Sequence, residues 1–393
     1  MMAERIATPG TAQADTKPTV GSVPPDTKPT VGSVPLERVN TPPAQTWNYL
    51  RANDITLTVP KRSRKGDVYF ALPRLFEKVE CGMGRAVTDW VESQASDAHY
   101  VEVRAGERRS EPIVATEDTG VMVRPGAEAT VIVIQSPAET ASSTSAALVR
   151  IVAERGARIR LLEFLCGGTD QRLESVGIVA AEDARIDVRQ FLLGAGTTAL
   201  GLAVALDGDR ARLDLNCRYL GRDRDVLDIN HVVRQRGRST RCEVRESGVL
   251  DGHACKSLRA TIDLVHGSSG SEGAELESVL VLSDDVTNKT MPVILCDEDD
   301  VAGNHGASIG SIGPEQFQYL RDRGLSPAEA EQLYVRALFD EALIAAPTDE
   351  ARQAVLDRAS VLLGAEAARD LIEGLGLATA APTTTGTAIP EKV

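Results

Sequence analysis

A short phrase of alternating polar and apolar residues recurs through the middle of this 393-residue chain: EATVIV from Glu128, GARIRL from Gly156, DARIDV from Asp183, RARLDL from Arg210 and STRCEV from Ser239. The central positions, Thr130, Arg158, Arg185, Arg212 and Arg241, are spaced 28, 27, 27 and 29 residues apart. Each phrase alternates in and out over four to six residues and follows a turn, as at 154–156, 207–209 and 236–238. Between the phrases lies a second apolar segment, as at 175–180, 199–206 and 226–233. Two strands and two turns per repeat leave no room for a helix, which is the signature of a β-solenoid coil. Helical solenoids are excluded because the 3.6-residue period is missing. A β-sandwich with regular strand spacing is the structural rival, and the near-constant period weighs against it.

Composition narrows the function classes. An apolar content of 42% is enough for a core, whereas aromatics at 4% leave little material for stacking platforms or sugar-binding clefts. With 43 basic against 57 acidic residues the net charge is −14, which repels nucleic acid and anionic membrane surfaces. The uncharged stretch 191–206 has 16 residues, three of them glycine, short of the roughly 20 needed to span a bilayer. Six dispersed cysteines and an N-terminus without a basic-then-apolar leader pattern predict reduced thiols and a cytoplasmic protein.

The flanks differ from the middle. Residues 1–45 hold eight of the nineteen prolines and a tandem duplication, DTKPTVGSVPP from Asp15 and DTKPTVGSVPL from Asp26, the composition of a disordered tail. Residues 46–115 read as a small mixed region with short helices near 46–53 and 85–94, and 116–310 as the solenoid. From 311 to 374 the pattern turns helical. Gly324 closes a first helix, and Ser326-Pro327-Ala328-Glu329 is a capping box with proline at the first helical position. Ala330, Leu333, Tyr334, Ala337 and Leu338 then recur at helical spacing, with further helices after Thr348 and up to Gly374. Residues 375–393 read as a second tail.

Most chemical motifs are missing or out of context. The chain contains no Walker sequence and no CxxC pair. Gly306-Ala307-Ser308-Ile309-Gly310 matches the nucleophile elbow in letters only, since no helix can start directly after the serine. His253 and Cys255 would share one face of a strand and could share a metal, and the acidic run 297–300 has oxygen ligands for a hard cation; a small core residue and a charged turn are the ordinary readings. His305, between Gly303 and Gly306, has an uncrowded imidazole open to close approach.

The stretch 281–343, with the acidic segment before His305-Gly-Ala-Ser-Ile-Gly310, then Tyr319-Leu-Arg-Asp-Arg-Gly324 and an Ala/Glu-rich helix, resembles the carboxy-terminal signature of the SufB/SufD scaffold family of iron–sulfur cluster assembly. His305-Gly306-Ala307 is similar to the D-type members, where B-type members have a His-Glu-Ala-Thr run. The resemblance implies a mainly β fold, a right-handed parallel β-helix core with a C-terminal helical domain. It also implies a non-catalytic subunit that pairs with a SufB-like scaffold and binds a SufC-like ABC ATPase. His305 would contribute to a transient iron–sulfur cluster at the SufB/SufD interface. Some D-type members have a cysteine two residues before the histidine; here Gly303 stands there, and Cys296 on the preceding strand is the candidate thiolate. ATPase docking would fall on the helices after the His motif, at Gln316, Tyr319, Leu320, Arg323, Leu333 and Tyr334. A B-type or homodimeric scaffold, a structural adaptor, and a β-helix enzyme acting on polysaccharide are the alternatives.

Overall fold

The computed structural model describes residues 32–44, 52–61, 71–95, 97–136, 144–167, 170–194 and 196–376. A two-stranded antiparallel sheet, β1 (Ser33–Val39) with β2 (Ile55–Pro60), is followed by helix α1 (Arg85–Glu92). Two eight-stranded sheets then alternate along the chain. The first contains β3 (His99–Val103), β5 (Asp118–Val123), β7 (Thr144–Ala153), β9 (Gln171–Ala180), β11 (Thr197–Leu206), β13 (Val226–Gln235), β15 (Cys255–Leu264) and β17 (Thr287–Cys296). The second contains β4 (Ile113–Val114), β6 (Glu128–Gln135), β8 (Arg158–Leu165), β10 (Arg185–Leu192), β12 (Arg212–Gly221), β14 (Arg241–Leu250), β16 (Ser271–Val281) and β18 (Val301–Gly310). All neighbours within these two sheets are parallel, the solenoid that the repeat predicts.

The recurring arginines stack in register, Arg158 on Arg185, Arg185 on Arg212 and Arg212 on Arg241, all on the exposed face. The first phrase is out of step by two residues: Arg158 pairs with Glu128, not Thr130, a step of 30 residues. Two more coils, in which Arg241 pairs with Glu272 and Glu272 with Ala302, lack the arginine and so escape the phrase.

Stacked aliphatic rows hold the coils together. In the first sheet Ile151, Ile178, Val204, Val233, Ile262 and Ile294 form one ladder. β-Branched side chains suit this pleated surface, and each full burial contributes roughly 1.5–3 kcal/mol.

The expected N-terminal tail ends earlier than residue 45, because β1 incorporates the end of the second duplicated segment. Val39 and Asn40 are fully buried, and Asn40 Nδ2 donates to the Leu200 carbonyl at 3.2 Å and to Asp228 Oδ1 at 2.7 Å. Arg259 binds Asp228 through both guanidinium nitrogens at 2.9 and 3.0 Å and donates to the Ala52 carbonyl at 2.6 Å. These contacts lock the N-terminal segment onto the first sheet. The solenoid also begins before residue 116, since β3 and β4 are its first strands. The predicted helix at 85–94 corresponds to α1; the one at 46–53 falls almost wholly outside the described residues, as do 1–31 and 377–393.

After β18 come α2 (Pro314–Asp322), α3 (Pro327–Ala345), α4 (Asp349–Leu363) and α5 (Ala365–Gly374). The capping box forms as read, with Glu329 N donating to Ser326 Oγ at 3.3 Å and Ser326 N to Glu329 Oε2 at 2.7 Å. Helices α3, α4 and α5 fold back onto the outer face of the second sheet, where Val335, Leu338 and Phe339 pack with Leu162, Phe164, Phe191 and Leu220, whereas α2 buries no residue. The expected apolar stripe of α3 splits: Ala330 and Leu338 are buried, but Leu333, Tyr334 and Ala337 are exposed. Among the described residues, no helix is long and apolar enough to cross a membrane.

Candidate functional site

β17 and β18 are the last strands of their sheets, and among the described residues no further coil covers them. Along β16 the residues Ser271, Gly273, Glu275, Glu277 and Val279 face the core, with exposed residues between them. The register continues this alternation onto Val301, Gly303, His305, Ala307 and Ile309 of β18. His305 thus belongs to a core-facing row yet is exposed, because no described residue stacks above it. Ile309 in the same set is 53% exposed, an apolar side chain left open where an interior position would be.

Cys296 sits on the core-facing set of β17, in register with Leu264, and its exposed thiol donates to the Glu298 carbonyl at 3.3 Å. It does not meet His305. A Cβ on Gly303 would lie 3.0 Å from Ile294, so β17 and β18 face each other at that pair. From there His305 lies two residues in one direction and Cys296 two in the other, about 13 Å apart at roughly 3.3 Å per residue. Among the described residues, no group of three or more His, Cys, Asp or Glu is arranged to hold a metal ion.

Beneath His305 the core is unexpectedly polar. Glu277 and Lys256 form a fully buried ion pair, and the same carboxylate accepts Tyr219 Oη at 2.7 Å and Thr290 Oγ1 at 2.5 Å. His231 hydrogen-bonds Glu246 at 2.9 Å and Gln190 at 3.0 Å, and Gln190 Nε2 donates to Glu163 at 2.7 Å. Burial drives the His231 imidazole down to about 3, so it stays neutral. Glu246 and Glu275 are each pushed up to about 8, first by burial and then by neighbouring carboxylates. Sequence reading missed this group, because isolated polar residues whose contacts span 13 to 58 positions carry no motif. Their signal was the in-facing parity of the strands β14 and β16, where Glu246, Glu275 and Glu277 stand at buried positions.

On the helices, Tyr319 is 55% and Leu333 42% exposed, and Tyr334 is exposed beside Leu333. The Arg323 guanidinium stacks 3.7 Å from the Tyr319 ring centre. Leu320 is half-buried, and the Gln316 side chain is engaged in capping α2, accepting Gly313 N at 3.1 Å.

The remaining candidates have structural roles. Gly306–Gly310 is continuous strand, so Ser308 is not on a strand-to-helix turn. His253 is exposed, 3.8 Å from Asp285, and Cys255 donates to the His253 carbonyl. In the acidic run, Glu298 accepts Gly267 N at 2.8 Å and Asp300 accepts Ser269 Oγ at 2.6 Å, as a turn between strands requires.

These features define a parallel β-solenoid whose chemistry gathers at one uncovered end, next to an appended helical module. Residues 105–338 match the model for the SufBD core domain of SUF-system FeS cluster assembly, and the chain belongs to that family. It is 32% identical over 99 residues to the iron–sulfur cluster assembly protein SufD of Bacillus subtilis, a match covering 25% of this chain and 23% of that one. With SufD of Escherichia coli it shares 38% identity over 69 residues, 18% of this chain and 16% of that one. A SufBD family protein of Methanocaldococcus jannaschii is 22% identical over 117 residues, 30% of this chain and 36% of that one. The chain therefore matches well under half the length of each of these relatives.

Proposed function

We propose that this chain is a D-type, non-catalytic scaffold subunit that pairs end-on with a SufB-like partner, its His305 touching a transient iron–sulfur cluster carried as cargo between them. The observation that carries this reading is the position of His305 on a core-facing row with, among the described residues, no coil above it. A second solenoid stacked there would cover Ile309 and the free edges of β17 and β18, which unpartnered sheets otherwise leave as a liability. Imidazole holds iron less tenaciously than thiolate, which suits a cluster that must be released. Cys296, at the far end of β17, would act as a separate thiolate near the 297–300 turn.

The exposed Tyr319, Leu333 and Tyr334, with Arg323, Leu320 and Gln316 around them, are the surface proposed for a SufC-like ATPase. Since α2 follows β18 after three residues, movement of the helices would be transmitted to the strand that carries His305. Six free cysteines accord with a reducing, cytoplasmic setting.

The test is anaerobic reconstitution with SufB- and SufC-like partners, reading visible cluster absorbance for the wild type, His305→Ala and Cys296→Ser. Loss in His305→Ala with the complex still assembled is expected; an unchanged spectrum would remove His305 from the cluster. Light scattering of the chain alone and with the SufB-like partner separates a heterodimer from a homodimeric scaffold.

A further inference from the structure

The outer face of the second sheet is divided along its length. Phe191 and Leu220 lie under the helices, and the ion pair of Arg218 with Glu341 on α3, at 2.7 Å, marks their border. The other half of the face is uncovered among the described residues. It forms a groove of about 730 Å³ lined by eight arginines against four carboxylates, with no lysine and no aromatic ring. In a chain of net charge −14 this is a local reversal of sign.

The axis of the groove is the ladder Glu128, Arg158, Arg185, Arg212, Arg241 and Glu272, in register on successive coils. Carboxylates close both ends, Glu128 at 3.4 Å from Arg158 and Glu272 at 3.1 Å from Arg241. Arg185 and Arg212, in the middle, are exposed and have neither an ion pair nor a side-chain hydrogen bond among the described residues. The acids beside them are already engaged. On the turn side Asp183, within reach of the Arg185 charge, is bound by Arg210 at 2.8 Å, and Asp209 by Arg238 at 2.6 Å. On the other side Asp187 meets Arg160 at 3.3 Å and Arg189 at 3.5 Å, and Asp214 meets Arg245 at 3.5 Å. Two guanidinium groups based about 4.8 Å apart repel one another, and each presents a planar fork of donors that matches a carboxylate.

We propose that this groove binds an extended acidic segment of a partner protein, with Arg185 and Arg212 as its central carboxylate anchors. The ladder from Arg158 to Arg241 spans about 14 Å, three steps of roughly 4.8 Å; carboxylates at alternate residues of an extended chain recur about every 6.6 Å, so three of them cover about 13 Å. Width argues against a helix. The basic strip runs between a rim carrying Asp183 and Asp209 and a rim carrying Asp187 and Asp214, and a helix about 10–12 Å across would bring its flanks against both. Nucleotides and nucleic acid find no ring to stack on and meet the repulsion of the net charge. The groove lies on the flank of the solenoid, so the bound segment is held beside the helical module and clear of the open end where His305 stands.

The test is fluorescence anisotropy of a labelled, end-capped heptapeptide that alternates threonine and glutamate, titrated at low salt with the full-length chain. Wild type is expected to bind it, and the double variant Arg185→Gln with Arg212→Gln to bind at least tenfold more weakly. A charge-matched double variant, Arg85→Gln with Arg369→Gln at exposed positions of α1 and α5, is expected to stay within twofold of wild type. All four substitutions are at exposed side chains, and circular dichroism checks that both variants keep the sheets. No binding by wild type, or equal weakening in the two double variants, would overturn the proposal. Tighter binding of pyrophosphate or of an oligothymidine strand than of the peptide, at the same salt, would overturn it too and assign the arginines to phosphate.

Discussion

The Glu277→Gln substitution tests whether the polar core is held by compensation of charge. In the native protein Lys256 lies fully buried, and burial lowers its ammonium while Glu277 opposes that shift. The variant keeps the shape but removes the negative charge. Lys256 must then either remain a lone buried cation, at about 3–5 kcal/mol, or fold uncharged. Folding it uncharged at pH 7 costs about 4.8 kcal/mol, from the roughly 3.5 pH units below the ordinary lysine value of 10.5 at about 1.36 kcal/mol each. Both routes give a loss of about 3–5 kcal/mol. The second also predicts its own pH dependence. The unfolded chain binds a proton that the folded variant lacks, so stability of the variant rises with pH, and by pH 9 the cost falls to about 2 kcal/mol. Denaturant unfolding of wild type and variant at pH 7 and 9 reads the difference. A loss below about 1 kcal/mol at pH 7 would refute the compensation argument, and a loss of full size at both pH values would refute neutralisation of Lys256.

The neutral His231 should make the protein acid-sensitive. With the folded imidazole held at about 3 against an ordinary 6.5, the unfolded state gains a proton as pH falls below 6.5. Wild type should lose about 2 kcal/mol more than His231→Gln between pH 7 and 5 in urea titrations. Gly201→Ala would set a Cβ 2.4 Å from the Gly82 carbonyl carbon, where backbone meets backbone. A cost of about 1–3 kcal/mol and new protease cleavage around residues 79–84 are expected, with the solenoid intact by circular dichroism. Phe339→Ala empties a fully buried site between α3 and the second sheet and should cost about 3–5 kcal/mol, with amide exchange accelerated across α3 and α4 first.

Much of the architecture was legible because a solenoid writes its structure into a local code. Alternation over a few residues and a turn every coil are properties of neighbouring residues, so strands β8, β10, β12 and β14 could be read from Arg158, Arg185, Arg212 and Arg241 alone. The helices were legible for the same reason, through Ser326, Glu329 and Thr348 at their caps. Legibility failed where position depended on something distant. Ser33-Val34-Pro35 repeats residues 22–24 but leads into Val39 and Asn40, which find a buried seat on the first sheet. Leu333 and Tyr334 fit the helical stripe but face away from the sheet that α3 meets.

The site divides in the same way. The sequence alone determined that this chain coils as a parallel solenoid, that helices follow it, and that His305 stands in a permissive glycine-flanked setting, since each follows from spacing along the chain. Only the tertiary structure decided that His305 stands at the end of a mostly aliphatic row, that Cys296 lies elsewhere along the same open end, and that Glu275 beneath His305 is buried beside Glu246. Those facts depend on which residues about 30 positions apart fall in register, and on where the stack stops. Register accumulates over every coil, and burial depends on the coil above, so neither is a property of any local stretch of residues.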